Sequence, residues 1–161
     1  MKKINLSQYS IAPAKKRNFK IGIVVSEWNE QITNALKEGA LTFLKEAGIA
    51  QRNIVICSVP GSFELPFGAS LLMDSDDELD GVICLGCIIQ GETRHFEFIA
   101  QAVANGIMRI SQDYDMPVIF GVLTCDTMEQ AQERAGGKHG NKGVEAAHTC
   151  LKMIELQEEL F

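Results

Sequence analysis

The residue types that do chemistry gather in four short stretches of this 161-residue chain: Ser26-Glu27-Trp28-Asn29, Val59-Pro60-Gly61-Ser62-Phe63-Glu64, Gln90-Gly91-Glu92-Thr93-Arg94-His95 and Thr124-Cys125-Asp126-Thr127. They hold the only tryptophan, a Pro-Gly turn and one of three histidines. His95 stands where a helix pattern begins, and an imidazole there suits proton transfer near neutral pH; from the residue alone, a partly buried histidine with a satisfied hydrogen bond is the commoner case. The backbone N–H groups of Gly91-Glu92-Thr93 would face an anion at that helix start, or simply be capped. Trp28 is placed to stack on a planar heterocycle, or to fill a core or an interface. Glu64 is placed to accept hydrogen bonds from ligand hydroxyls, or to face the dipole of its own helix.

Other groups compete for a role. Arg134, Lys138 and Lys142 lie at the edges of and within a glycine-rich stretch, where they suit a phosphate or form a solvated turn. The stretch follows a helix and lacks Walker-loop spacing. Cys84-Leu85-Gly86-Cys87 is a lone C-x-x-C inside an apolar run, which favours packing or pocket lining over a redox or zinc role. His139 and His148 have no metal-ligand spacing to it and read as surface residues, so no metal is expected.

These stretches fall between alternating strand and helix signals. Apolar runs at Lys20 to Val25, Asn53 to Val59, Gly81 to Ile89 and Pro117 to Leu123 predict four buried strands. Ser26 and Asn29 offer caps for a helix carrying Ile32, Leu36, Ala40, Phe43, Leu44 and Ala47, which Gly48 closes. Further helices are predicted over about 64–73, from Phe96 to Ile110, and over 144–160. Thr127 and Gln130 form a capping-box pattern for a short helix between. Strand and helix in alternation predict an α/β, flavodoxin-like three-layer sandwich around a central four-stranded parallel sheet. Residues 19–161 form one domain in this reading. Residues 1–18 are an N-terminal arm, which either extends a neighbour's sheet as a strand or is disordered. In such sheets ligands bind outside the carboxyl ends of the strands, where the four stretches lie.

Composition narrows the classes. Hydrophobic residues make up 46% and charged residues 22%, a globular balance. A net charge of −6 argues against nucleic acid as a partner, yet one local cation suffices for a small anion. No run reaches the roughly 18–20 apolar residues of a membrane span, and the first ten residues lack a secretory pattern. Five cysteines, three in or beside strand-like runs, point to reduced thiols and a cytoplasmic protein.

Taken in order, the segments resemble lumazine synthases. Pro60-Gly61-Ser62-Phe63-Glu64-Leu65-Pro66 is similar to one motif of that family, and Gly91-Glu92-Thr93-Arg94-His95-Phe96 to its Gly-Glu-Thr-x-His-Phe segment. Phe120-Gly121-Val122-Leu123-Thr124 and Glu133-Arg134-Ala135-Gly136 through Asn141-Lys142-Gly143 are similar to its C-terminal signature. The resemblance covers residues 20 to 155. It implies an enzyme, a transferase, that joins 5-amino-6-(D-ribitylamino)uracil to L-3,4-dihydroxy-2-butanone 4-phosphate in riboflavin biosynthesis, without a cofactor.

The resemblance also implies the roles. Trp28 would stack on the pyrimidine, and Ser62, Phe63 and Glu64 would shape the ribityl and uracil site. Cys87, Ile88 and Ile89 would line the ring pocket, largely through backbone groups. Glu92 and Thr93 would offer N–H groups to the phosphate. Phe120 and Arg134 would come from a neighbouring subunit, and His95, oriented by Glu145, would shuttle protons. A pentamer is implied, often twelve of them in a 60-subunit shell, with riboflavin synthase as an encapsulated partner. Gln90, Glu27, Gly137 and His139 depart from the common pattern. The competing readings are a non-catalytic lumazine- or flavin-binding homologue, a purely shell-forming one, and a generic FMN-binding domain.

Overall fold

The computed structural model describes residues 18–161. Its four long strands are β1 (Ile21–Ser26), β2 (Ile54–Val59), β3 (Gly81–Ile89) and β4 (Val118–Cys125). All pairings among them are parallel, and the order across the sheet is β2-β1-β3-β4. Five helices accompany them: α1 (Glu30–Glu46), α2 (Leu65–Ser75), α3 (His95–Asp113), α4 (Met128–Arg134) and α5 (Lys142–Leu160). This is the flavodoxin-like α/β arrangement expected from the sequence, with strand ends displaced by one or two residues. The arm strand expected within 1–18 lies outside the described residues but for residue 18.

The central strands are apolar along their length because both faces are covered. All of β1 is buried, and β3 is buried up to its last residue. Side chains alternate between the two faces. Ile21, Ile23, Val25, Ile83, Leu85 and Cys87 join one core, with Leu36, Phe43 and Leu44 of α1 and Ala147, Cys150 and Leu151 of α5. Val24, Val82, Cys84 and Ile88 join the other, with Leu65, Ala69 and Leu72 of α2 and Val103 and Ile107 of α3. The odd spacing of Cys84 and Cys87 therefore sends the two thiols into opposite cores.

The glycine-rich stretch holds structure that the sequence did not announce. Ala135–Gly137 (β5) and Gly140–Asn141 (β6) form a small antiparallel hairpin between α4 and α5. It delivers Asn141 to the start of α5, where the side-chain carbonyl accepts from the N–H groups of Gly143 (2.8 Å) and Val144 (3.3 Å). The same carboxamide donates to the Ala35 carbonyl of α1 (2.9 Å). One side chain thus caps α5 and fastens it to α1. His139 and His148, expected at the surface, are both half-buried: His139 lies 3.3 Å from Glu133, and His148 packs edge-on against Phe43. Among the described residues no helix is long and apolar enough to cross a membrane.

α5 comes very close to α1 at Gly143, where a Cβ would run into the Leu36 backbone carbonyl. Gly143→Ala is expected to destabilise by about 3 kcal/mol, the upper end for overpacking, because backbone cannot yield as a side chain can. Thermal unfolding should record a midpoint lowered by roughly 6–12 °C; an unchanged midpoint would show that the helices separate without cost.

Candidate active site

The site begins where β1 and β3 part. Their parallel register runs from Ile21↔Gly81 to Val25↔Leu85 and stops. Beyond it the chain turns towards β2: Glu27 N–H donates to the Val59 carbonyl (2.8 Å) and Trp28 N–H to the Pro60 carbonyl (3.1 Å). With strand order β2-β1-β3-β4, this gap is the switch point of the sheet, where connections leave in opposite directions and a crevice opens.

Several expected residues meet at that crevice. Trp28 is 67% exposed and lies over Gly61, where a Cβ would stand 2.8 Å from the indole. Glu64 turns back to accept from the Gly61 N–H (3.0 Å), closing the 62–64 turn before α2. Ser62 is buried beneath, its hydroxyl against Gly86 of β3. Ser26, only 1% exposed, approaches the same glycine, and its hydroxyl has no hydrogen-bond partner among the described residues. Phe63 projects outward, largely exposed. The side chains of Cys87 and Ile88 belong to the two cores, so only their backbone can face the crevice.

Next to the crevice stands the start of α3. Gln90 N–H donates to the Cys125 carbonyl (2.9 Å), which holds the 90–94 loop on the end of β4. Glu92, Thr93 and His95 are exposed there, and the space beside Gly91 is open. The Thr93 hydroxyl accepts from the His95 N–H (3.4 Å). His95 itself is exposed on the first turn of α3.

Phe120 and Arg134 lie elsewhere on the chain. Phe120 pairs in register with Cys84, five residues before the end of β4, roughly 16 Å short of the crevice at strand rise. It lines a groove of about 450 Å³ between α3 and α5 along the β4 edge, with Lys142 and Glu145. Glu145, expected to orient His95, is instead engaged by two cations. Arg134 Nη2 hydrogen-bonds its Oε2 at 3.1 Å and lies 3.0 Å from Oε1, and Lys142 Nζ is 3.3 Å from Oε2. Arg134 Nη1 also donates to the His139 carbonyl (2.8 Å), so the guanidinium is fixed in plane. A 6%-exposed carboxylate would be costly alone, and two cations offset that cost. A larger groove, about 550 Å³, lies by Pro117, Leu156 and Phe161 towards the amino end of β4, and meets this one at Ser111, Pro117 and Met153.

Asn29 is the residue whose part was missed. It was expected to cap α1, but its side chain makes no cap; it crosses to β3 and donates to the Cys87 carbonyl (2.9 Å). Its backbone is left-handed (φ 59°), a conformation Asn tolerates better than most residues, which was the one clue in the sequence. Among the described residues no group of three or more His, Cys, Asp or Glu is placed to hold a metal ion.

Together the fold and these placements define a flavodoxin-like α/β protein with its candidate site at the switch point of the sheet. The family model of 6,7-dimethyl-8-ribityllumazine synthase matches residues 18–158, and the chain belongs to that family. It is 55% identical to the 6,7-dimethyl-8-ribityllumazine synthase of Cytophaga hutchinsonii over 150 residues, spanning 93% of this chain and 94% of the relative. The enzymes of that name from Parabacteroides distasonis and Porphyromonas gingivalis are 51% and 50% identical, over 93% and 95% of this chain and 94% and 95% of theirs.

All five cysteines are free. Burial pushes the Cys87 and Cys150 thiols up to about 12 and raises Cys84 further, while half-buried Cys57 is raised less far. Near pH 8 the Cys87 thiol therefore stays protonated, and only thiolate attacks a disulfide reagent. Ellman's reagent should label native protein slowly and at Cys57 first, with all five reacting after denaturation; rapid labelling of Cys87 in the folded protein would restore a redox reading of the C-x-x-C.

Proposed function

We propose that the chain catalyses the condensation of 5-amino-6-(D-ribitylamino)uracil with L-3,4-dihydroxy-2-butanone 4-phosphate to 6,7-dimethyl-8-ribityllumazine in riboflavin biosynthesis. The observation that carries this reading is the family match over residues 18–158, which takes in every group gathered at the switch-point crevice. Trp28 offers an exposed indole face to the pyrimidine. The backbone of Cys87, Ile88 and Ile89 meets the ring edge, and Ser62, Phe63 and Glu64 bound the ribityl chain. Glu92 and Thr93, ahead of α3, turn N–H groups to the phosphate.

Phe120 and Arg134 act on the crevice of a second copy in this reading. The support is physical: Phe120 is too far back along β4 to reach its own crevice. Arg134 is held rigid by Glu145 and the His139 carbonyl, as an arginine presented to a phosphate must be. The resemblance to lumazine synthases implies pentamers with shared sites, and twelve of them in a 60-subunit shell, able to enclose riboflavin synthase, is the larger assembly we favour.

The chemistry then proceeds by proton transfers. The uracil amine attacks the ketone and expels water to form an imine. Phosphate leaves, the side chain rearranges, and the second amine closes the ring with loss of another water. His95, exposed on the first turn of α3, takes and returns the protons. Holding both substrates together supplies much of the acceleration.

Purified protein mixed with both substrates should produce the absorbance of the lumazine; its absence with intact, folded protein would leave the non-catalytic binding homologue. His95→Ala is expected to slow kcat about 10²-fold, the lower range for one acid–base group, without abolishing turnover. Undiminished turnover in that variant would remove the shuttle role.

A further inference from the structure

Past the parting of β1 from β3, something must hold the two banks of the crevice at a constant distance. Continuing the β1–β3 register past Val25↔Leu85 would set Glu27 against Cys87 and bring the Trp28 N–H towards the Cys87 carbonyl. That N–H goes to Pro60 instead. The ladder position is filled by a side chain: the Asn29 carboxamide donates to the Cys87 carbonyl at 2.9 Å.

Two features show that the residue is built for this. Asn29 gives up the capping role its position offers, since its side chain makes no hydrogen bond to the start of α1. Its backbone sits at φ 59°, ψ 45°, one of two non-glycine residues with positive φ among those described. That conformation is unfavourable for L-residues generally, and here it swings the carboxamide from β1 across to β3. Meanwhile the Asn29 carbonyl accepts from Ile32 (2.9 Å) and Thr33 (3.1 Å), so the strut is rooted in the first turn of α1. Trp28 is its immediate neighbour.

We infer that Asn29 is a positioning residue: its side chain spans the switch point and fixes the Trp28 ring at a set height above the Cys87–Ile89 backbone. This rests on the proposed reading of the crevice as the aminouracil site and adds to it the group that sets its width. The role is selective by construction, because the strut touches the ring bank and not the 90–94 loop or the Arg134–Glu145 pair. Losing it should weaken the uracil substrate and leave the phosphate substrate alone.

Asn29→Gly keeps the left-handed backbone and removes the strut. Asn29→Asp keeps the shape but sets a carboxylate, which has no proton to donate, against the Cys87 carbonyl. Both variants are expected to raise KM for 5-amino-6-(D-ribitylamino)uracil about three- to tenfold, the worth of one hydrogen bond, with KM for the butanone phosphate within about twofold of wild type. Trp28 is the only tryptophan, so its fluorescence reads the same strut without any substrate. Both variants should show red-shifted emission and lower anisotropy at an unchanged oligomer mass. A uniform fall in kcat with both KM values unchanged, or wild-type emission from both variants, would overturn the inference. A wild-type protein that made no product would count against the proposed activity instead, while the Trp28 spectra would still judge the strut.

Discussion

Two backbone N–H groups decide the character of this molecule. When Glu27 and Trp28 donate to Val59 and Pro60, β1 stays with β2 and lets go of β3. Elsewhere β1 and β3 are paired and buried nearly from end to end. Only past Val25↔Leu85 do they expose main-chain groups beside an aromatic ring. The two cores below are what make the separation possible: β1 and β3 are locked together over five residue pairs, so the strands can diverge above without unzipping. The Pro60-Gly61 turn belongs to the same device, since Gly61 leaves room for the indole that the turn receives.

The second constraint is that one chain carries groups suited to the chemistry on two separate surfaces. Trp28 and His95 stand exposed about the crevice. Phe120, Lys142 and Glu145 line the β4-edge groove, and Arg134 is fastened to Glu145 beside it. A buried carboxylate between two cations is a poor source of stability compared with apolar packing. It makes sense as a device that holds a guanidinium still. In the proposed assembly the two surfaces belong to different copies, and the exposed aromatic residues of one find a use in the other. In that assembly binding and self-association become one interaction.

Much of this was legible in the residues. The strands announced themselves because β1 and β3 are covered on both sides and so read as unbroken apolar runs. The crevice loops followed from the rule that parallel sheets bind at their carboxyl ends, which placed Trp28, Glu64 and His95 from the chain order alone. What escaped were contacts between residues far apart in the chain. Asn29 reaches across 58 positions to Cys87, and no local pattern distinguishes that from a helix cap. The Ala135–Asn141 hairpin was missed because strands of three and two residues have no periodicity to detect. The partners of Glu145 escaped for a related reason: it lies one helical turn from Lys142, but its link to Arg134 passes through that hairpin. The separation of Cys84 from Cys87 was within reach, since three positions along a strand always change face.

The claim that most needs testing is that the crevice of one chain is completed by the arginine of another. Co-expressing His95→Ala chains with Arg134→Ala chains in equal amounts puts both kinds in one oligomer. If the site is shared, about a quarter of the interfaces in a randomly mixed ring pair an intact histidine with an intact arginine. The mixed protein should then recover activity to about that fraction of wild type, well above either variant alone. Activity equal to the mean of the two single variants would mean that each chain completes its own site, and would contradict a site shared between copies.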